Sequence, residues 1–266
     1  MSELTIASES FEIVIADEIK VKGRVKSVVD GLHKPAVVVA HGFRGTQDWG
    51  FWPEVLERLA QSGYYAISFN YSRIAVQEEG IDEQRVAEAS TISQDLKDIG
   101  AVINHLKQGL LPLSNEVNAE NIAFLGHSRS GGSGIIYASE HPTNIQNLIV
   151  WNGGASPISA STDPNLSPIQ LAVALDKEAN ENRFNVTDQF IDLKQPVLIV
   201  QGDSDSERLL SFVAKLKELA PHQSYVSIPE ANHTFGVAHP YEGATEHLRI
   251  ALEETISFLD IHLKTK

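Results

Sequence analysis

A serine, a pair of aspartates and a histidine each stand just beyond an apolar run, in an order that suits acyl transfer. The serine lies in Phe124-Leu125-Gly126-His127-Ser128-Arg129-Ser130-Gly131-Gly132-Ser133-Gly134, where an apolar run breaks into glycines and small residues. That is the sequence form of a nucleophile elbow, a sharp strand-to-helix turn that lifts a hydroxyl clear of the backbone. Ser130 stands where G-x-S-x-G has its second glycine, so Ser128-x-Ser130-x-Gly132 offers a shifted elbow with Ser130 as a rival nucleophile. The strand read over Asn121 to Leu125 ends directly at Gly126, which favours Ser128; a shifted elbow would put His127 and Ser128 inside the strand.

A serine hydroxyl is a weak nucleophile until a base takes its proton, and the base needs a third group to hold its tautomer. Downstream, Pro196-Val197-Leu198-Ile199-Val200-Gln201 runs into Gly202-Asp203-Ser204-Asp205, and Tyr225-Val226-Ser227-Ile228 runs into a loop containing Asn232-His233-Thr234-Phe235. Carboxylate and imidazole therefore leave the same edge of a parallel sheet as Ser128, the edge where ligands bind. Asp205 is the preferred acid, because G-x-x-D lets the loop turn back toward the histidine, and Asp203 is read as a cap for the turn or for the next helix. A tetrahedral intermediate also needs two pre-aimed donors. The loop His41-Gly42-Phe43-Arg44-Gly45 ends another buried strand, and the backbone N–H groups of Phe43 and Arg129 are the expected pair. Trp49, with Phe51 and Trp52, is a pocket candidate weighed against a core role, and Arg73 a substrate-carboxylate candidate weighed against a surface ion pair.

The elements that must position these groups are legible as two periodicities. Phe11 to Ala16 and Ile19 to Val29 alternate apolar and polar residues, which predicts an antiparallel edge hairpin turning at Asp17-Glu18. Short continuous apolar runs follow at Ala36 to Ala40, Tyr64 to Phe69, Ile122 to Leu125, Ile145 to Trp151 and Val197 to Val200, as strands buried on both faces require. Between them, helical spacing covers Phe51 to Gln61, Glu83 to Gln108, Gly132 to Ser139, Glu207 to Leu219 and Thr245 to Leu263. Strand alternating with helix predicts an α/β fold with a mostly parallel sheet and helices on both faces. Asn152 to Lys194 breaks the rhythm: about 40 residues is long for a connection, and its apolar-periodic piece Ile169 to Ala179 predicts a small cap insertion over the cleft. The expected organisation is one domain over residues 1–266 with that cap at about 152–194.

Composition narrows the partners. The 266 residues carry a net charge of −14, which argues against nucleic acid, whose binding needs clustered Lys and Arg. With 0 cysteines there is no disulfide, thiolate catalysis or cysteine-ligated zinc, and no His spacing resembles a metal motif, so neither metal nor cofactor is expected. The N-terminus lacks a basic-then-apolar leader and no run approaches about 18 apolar residues, so the expected setting is the cytoplasm, without membrane contact.

With His41-Gly42-Phe43-Arg44-Gly45, the Gly126 to Ser130 elbow, Gly202-x-x-Asp205 and Asn232-His233-Thr234-Phe235 in chain order, the sequence resembles the α/β-hydrolase superfamily over nearly its whole length. Within it, the short cap, the oxyanion loop and the His-Thr-Phe ending look like the dienelactone-hydrolase and cinnamoyl-esterase-like serine hydrolases. The resemblance implies a Ser128, Asp205 and His233 triad that cleaves short-chain or aromatic carboxylic esters through an acyl-enzyme, without cofactor. Dienelactone hydrolases proper use a cysteine nucleophile, which this chain lacks, and a silent binding scaffold would carry a broken triad. With no metal in the chemistry, EDTA should leave kcat/KM unchanged. Loss of activity in EDTA, restored by a divalent metal, would overturn the cofactor-free expectation.

Overall fold

A computed structural model describes residues 5–16, 19–155 and 165–264. Eight strands form one sheet: β1 (Ile6–Ala16), β2 (Ile19–Val28), β3 (Lys34–Ala40), β4 (Tyr65–Asn70), β5 (Val117–His127), β6 (Asn147–Trp151), β7 (Val197–Gly202) and β8 (Ser224–Ile228). Their order across the sheet is β1-β2-β4-β3-β5-β6-β7-β8. β1 pairs antiparallel with β2 and β2 with β4, and every pairing from β4 to β8 is parallel. The hairpin turn read at Asp17-Glu18 lies outside the described residues.

Nine α-helices stand among the described residues: α1 (Trp52–Gln61), α2 (Ser72–Glu78), α3 (Glu83–Ala89), α4 (Ile92–Lys107), α5 (Arg129–Glu140), α6 (Pro168–Ala179), α7 (Val186–Ile191), α8 (Glu207–Leu219) and α9 (Glu246–His262). They cover both faces of the sheet, and β3 shows why its run is continuously apolar. Val37 and Val39 point to the side of α1 and α9, where Trp52, Leu56, Leu252 and Leu259 pack. Ala36, Val38 and Ala40 point to the side of α4 and α5, among Ile99, Ile103 and Ile136. Each fully buried valine contributes about 1.5–3 kcal/mol of transfer free energy.

Two readings of helical spacing are corrected. The stretch Glu83 to Gln108 is two helices, because the Thr91 side chain accepts the Gln94 N–H and starts α4 afresh. α2 begins at Ser72, two residues past the end of β4. That start lacks a local cap; the Ser72 N–H donates instead to Asp98 Oδ2 at 2.7 Å, a group on α4. α5 begins at Arg129, three residues before the expected Gly132, so the helix follows Ser128 without a spacer.

The order of the strands positions the chemistry. From β3 the chain moves outward to β4 and then returns to β5 on the other side of β3, so the loops after β3 and β5 diverge at a switch point. Such a divergence opens a crevice at the C-terminal edge of a parallel sheet. The loop that holds Phe43 and the turn that holds Ser128 flank it. α6 and α7 lie between β6 and β7, and α6 packs against α3 and α4. Ser156 to Pro164, within the expected cap, lie outside the described residues.

Candidate active site

Ser128 sits at φ 56° and ψ −122°, a left-handed conformation that costs a non-glycine residue about 1–3 kcal/mol and persists only where the surroundings enforce it. Here the neighbours do so. Its N–H donates to Trp151 O on β6 (2.9 Å), and its own carbonyl accepts from Gly131 N (3.1 Å) and Gly154 N (3.3 Å). The turn closes only because Gly126 and Gly153 lack side chains: a Cβ on Gly126 would lie 2.4 Å from Ser130 O, and one on Gly153 would lie 2.1 Å from Ser128 O. β5 extends through His127, two residues beyond the expected end, and the elbow remains at Ser128.

The structure brings Ser128, His233 and Asp205 together. His233 Nε2 lies 3.0 Å from Ser128 Oγ, and His233 Nδ1 lies 2.8 Å from Asp205 Oδ2. Asp205 also accepts from Ser206 N (2.6 Å) and from Gln201 Nε2 (3.1 Å). Burial works to raise the Asp205 carboxyl, but the bonds from His233 and Ser206 outweigh it and hold the group below its ordinary value. Asp205 is thus an anion that favours the Nδ1–H tautomer of His233 and leaves Nε2 as the acceptor facing the hydroxyl. Asp203 is exposed and accepts the Glu230 N–H at 2.6 Å, bracing the turn after β8 rather than capping α8.

The main chain around His233 is clamped from behind. Its carbonyl accepts from His127 Nε2 (2.8 Å) and Asn152 Nδ2 (3.0 Å), while Asn152 Oδ1 accepts Gly202 N at 2.7 Å. One buried asparagine therefore ties the acid loop to the histidine loop. Asn152, which the sequence pattern does not mark, follows β6 directly and sits at φ 45°. Ser130, the rival nucleophile, is buried; its Oγ donates to His41 O and accepts from Tyr71 Oη at 2.8 Å. It has no route to a substrate.

On the other side of Ser128, the loop after β3 passes so close that a Cβ on Gly42 would lie 3.0 Å from Ser128 Cβ. The Phe43 N–H has no hydrogen-bond partner among the described residues, and Arg129 holds the first position of α5, where N–H groups are unpaired by the helix. Phe43 and Arg129 line the same cavity as Ser128, at the start of α5 where the helix dipole is positive. Arg73 is corrected: it is a buried residue of α2, and its guanidinium donates to Phe43 O (2.9 Å) and Gly42 O (3.3 Å). Trp49 is corrected as well. Its ring meets Phe51 edge-on and stacks on His239, flanking the α1/α9 core rather than the cleft.

A cavity of about 800 Å³ opens over Ser128 and His233, walled by Ile92, Ile136, Val186 and Leu209 and, from α6, by Ile169, Val173 and Ala174. Arg129 and Arg208 are its cationic lining residues. α6 buries none of its residues, and Leu171 and Leu175 on it face solvent. Among the described residues no cluster of His, Asp or Glu could hold a metal ion, and no helix is long and apolar enough to cross a membrane.

Neither a protein-family model nor a curated protein matches the chain. Solved structures do. Est1E from Butyrivibrio proteoclasticus, determined with ferulic acid bound, aligns with a TM-score of 0.72 at 20% identity over 96% of this chain and 99% of its own. A dienelactone hydrolase from Anabaena variabilis aligns with a TM-score of 0.68 at 17% identity over 97% and 99%. A CIB-like hydrolase from Thermoplasma acidophilum aligns with a TM-score of 0.62 at 13% identity over 96% and 99%. These similarities show that the chain has the α/β-hydrolase fold. The elbow geometry carries its own test: Gly126→Ala should destabilise the protein by about 3 kcal/mol in urea unfolding, since its Cβ has only backbone to displace. Gly80→Ala, also strained at φ +67° but facing open space, should cost only about 1 kcal/mol.

Proposed function

We propose that this α/β-hydrolase-fold chain is a serine carboxylesterase, with Ser128 as nucleophile, His233 as general base and acid, and Asp205 as the anchor of the histidine. The observation that carries the reading is the continuous path of hydrogen bonds, 3.0 Å from Ser128 Oγ to His233 and 2.8 Å from His233 to Asp205, ending on an apolar cavity. His233 Nε2 takes the hydroxyl proton as Oγ adds to the ester carbonyl carbon. The resulting oxyanion is met by the N–H groups of Phe43 and Arg129, and imidazolium is stabilised by the Asp205 carboxylate. Collapse of the tetrahedral adduct expels the alcohol, which leaves with the proton returned by His233. Water, deprotonated by the same nitrogen, then releases the acid and restores Ser128.

The substrates we assign are short-chain or aromatic esters. Supporting this are the aliphatic cavity wall and the ferulic acid bound by Est1E, a neighbour at 20% identity. The lack of cysteine in 266 residues supports a cytoplasmic setting. The stretch 152–194 acts in this reading as a cap, because its helix α6 supplies Ile169, Val173 and Ala174 to the cavity and has no fully buried residue.

Turnover of a p-nitrophenyl ester panel, extended by methyl ferulate, tests the chemistry. Ser128→Ala should reduce kcat by on the order of 10³-fold or more and abolish labelling by a fluorophosphonate. Ser130→Ala should keep kcat within a few-fold but lower the melting temperature, as a buried tyrosine hydroxyl loses its partner at about 1–3 kcal/mol. A wild-type chain that no fluorophosphonate labels would return the fold to a binding role. For the cap, Ala174→Trp should shift the preferred acyl chain toward shorter esters while leaving the melting temperature close to wild type. An unchanged chain-length profile would remove the cap from substrate selection.

A further inference from the structure

The two proposed oxyanion donors come from different loops, and sheet pairing alone does not set the distance between them. The Phe43 loop has one internal backbone bond, Gly45 N to Gly42 O. Beyond the Ser130 hydroxyl bond to His41 O at its start, what joins it to α5 is a buried ionic assembly. Asp95, in the first turn of α4 and 1% exposed, accepts Arg129 Nε at 2.8 Å through Oδ2 and Arg73 Nη1 at 3.4 Å through Oδ1. The far side of Arg73 donates to the carbonyls of Phe43 and Gly42. Arg129 Nη2 donates to Ser90 O at 2.6 Å, a carbonyl freed by the break between α3 and α4. The Phe43 ring is flanked by both guanidiniums, with centroid distances of 4.9 Å to Arg73 and 4.6 Å to Arg129.

Building on the esterase reading above, we propose that Asp95 is the positioning residue of the oxyanion site, holding through Arg73 and Arg129 the separation and aim of the Phe43 and Arg129 N–H groups. Each arginine has one donor on the shared carboxylate and another on backbone, so neither can rotate without breaking a charge-assisted bond, Arg73 in the interior and Arg129 at the cavity wall. Burial raises the Asp95 carboxyl, and the Arg129 and Arg73 charges oppose that shift. A carboxylate here also offsets two cations that would otherwise repel each other beside the nucleophile. The acid–base half of the site does not depend on this assembly. His233 is held by Asp205, His127 and Asn152, none of which touches Asp95.

The proposal separates two kinds of loss. A purely structural ion cluster would, when broken, lower stability and leave the partition between kcat and KM alone. A positioning role predicts a transition-state defect, because donors aimed at an oxyanion act little on the ground-state ester. Asp95→Asn, which keeps the shape and removes the charge, should lower kcat about 10- to 100-fold with KM within about 3-fold. Affinity for an alkyl boronic acid, whose tetrahedral adduct on Ser128 presents an oxygen to the same donors, should fall by the same factor as kcat.

Arg73→Lys serves where Asp95→Asn folds poorly. It keeps the charge but lacks the fork that reaches both carboxylate and carbonyls, and it should show the same split at smaller size. Glu116→Gln is the control. It breaks a different buried ion pair, with Lys34 at 3.0 Å, at the opposite end of β5, and should lower the melting temperature without changing kcat or boronate affinity. Folded Asp95→Asn and Arg73→Lys proteins with wild-type kcat, or with a raised KM alone, would overturn the positioning role while leaving the esterase reading intact. A wild-type protein inactive on every ester and unlabelled by fluorophosphonate would instead remove the esterase reading, and this proposal with it.

Discussion

The backbone at Ser128 is the constraint to which the surrounding structure is fitted. A left-handed serine between a buried strand and a helix is unfavourable by itself, and it survives because three chain segments meet there at distances only glycine allows. Gly126 makes room for the turn inside the elbow, Gly153 for the chain leaving β6, and Gly42 for the loop leaving β3. The strain therefore has a structural return. The same close approach that holds Ser128 upright also brings the Phe43 loop and the start of α5 to either side of its hydroxyl.

From that point the site divides into two halves held by different physics. The half proposed to transfer protons, Ser128, His233 and Asp205, is secured through backbone: carbonyls and N–H groups of the turns after β6, β7 and β8, tied by His127, Asn152 and Asp203. The half proposed to meet the oxyanion is tied by charge, with one carboxylate shared by two guanidiniums. Local backbone bonds suffice where consecutive parallel strands already set the spacing. A charged strut is needed where the switch point at β3 and β5 lets the loops diverge.

This division also explains what the sequence disclosed. Strands buried on both faces leave continuous apolar runs, and the side chains assigned to the chemistry stand one to five residues past such strands, so Ser128, Asp205 and His233 were legible from position alone. Groups that act by holding others carry no local signature. α2 is capped by Asp98 from another helix, so nothing near Ser72 announces it. Arg73 reads as a surface cation until the fold buries it against Gly42 and Phe43. The break at Ser90-Thr91 is visible as a cap residue inside a helical pattern, and its use is not, because the carbonyl it frees is taken by an arginine 39 residues away. Trp49 and Arg73 were pocket candidates by type and edge, weighed against a core role and a surface ion pair, and in both cases the partners of the side chain, not its neighbours in sequence, decided the matter.

The electrostatics of the buried histidines completes the arrangement. His127 packs 4.9 Å from His233, and a charge on it would oppose the imidazolium that the proposed mechanism forms. Burial pushes His127 down to about 4, and repulsion from His233 acts in the same direction. At neutral pH it is therefore uncharged and donates Nε2–H to the His233 carbonyl, holding the loop without contesting its proton. His41, pushed by burial to about 3, is likewise neutral beside Arg73 and bonds the Gly42 carbonyl through Nδ1. Two histidines in the same site are thus kept neutral by burial, which leaves His233, with 41% of its side chain exposed, as the imidazole that the proposed mechanism uses.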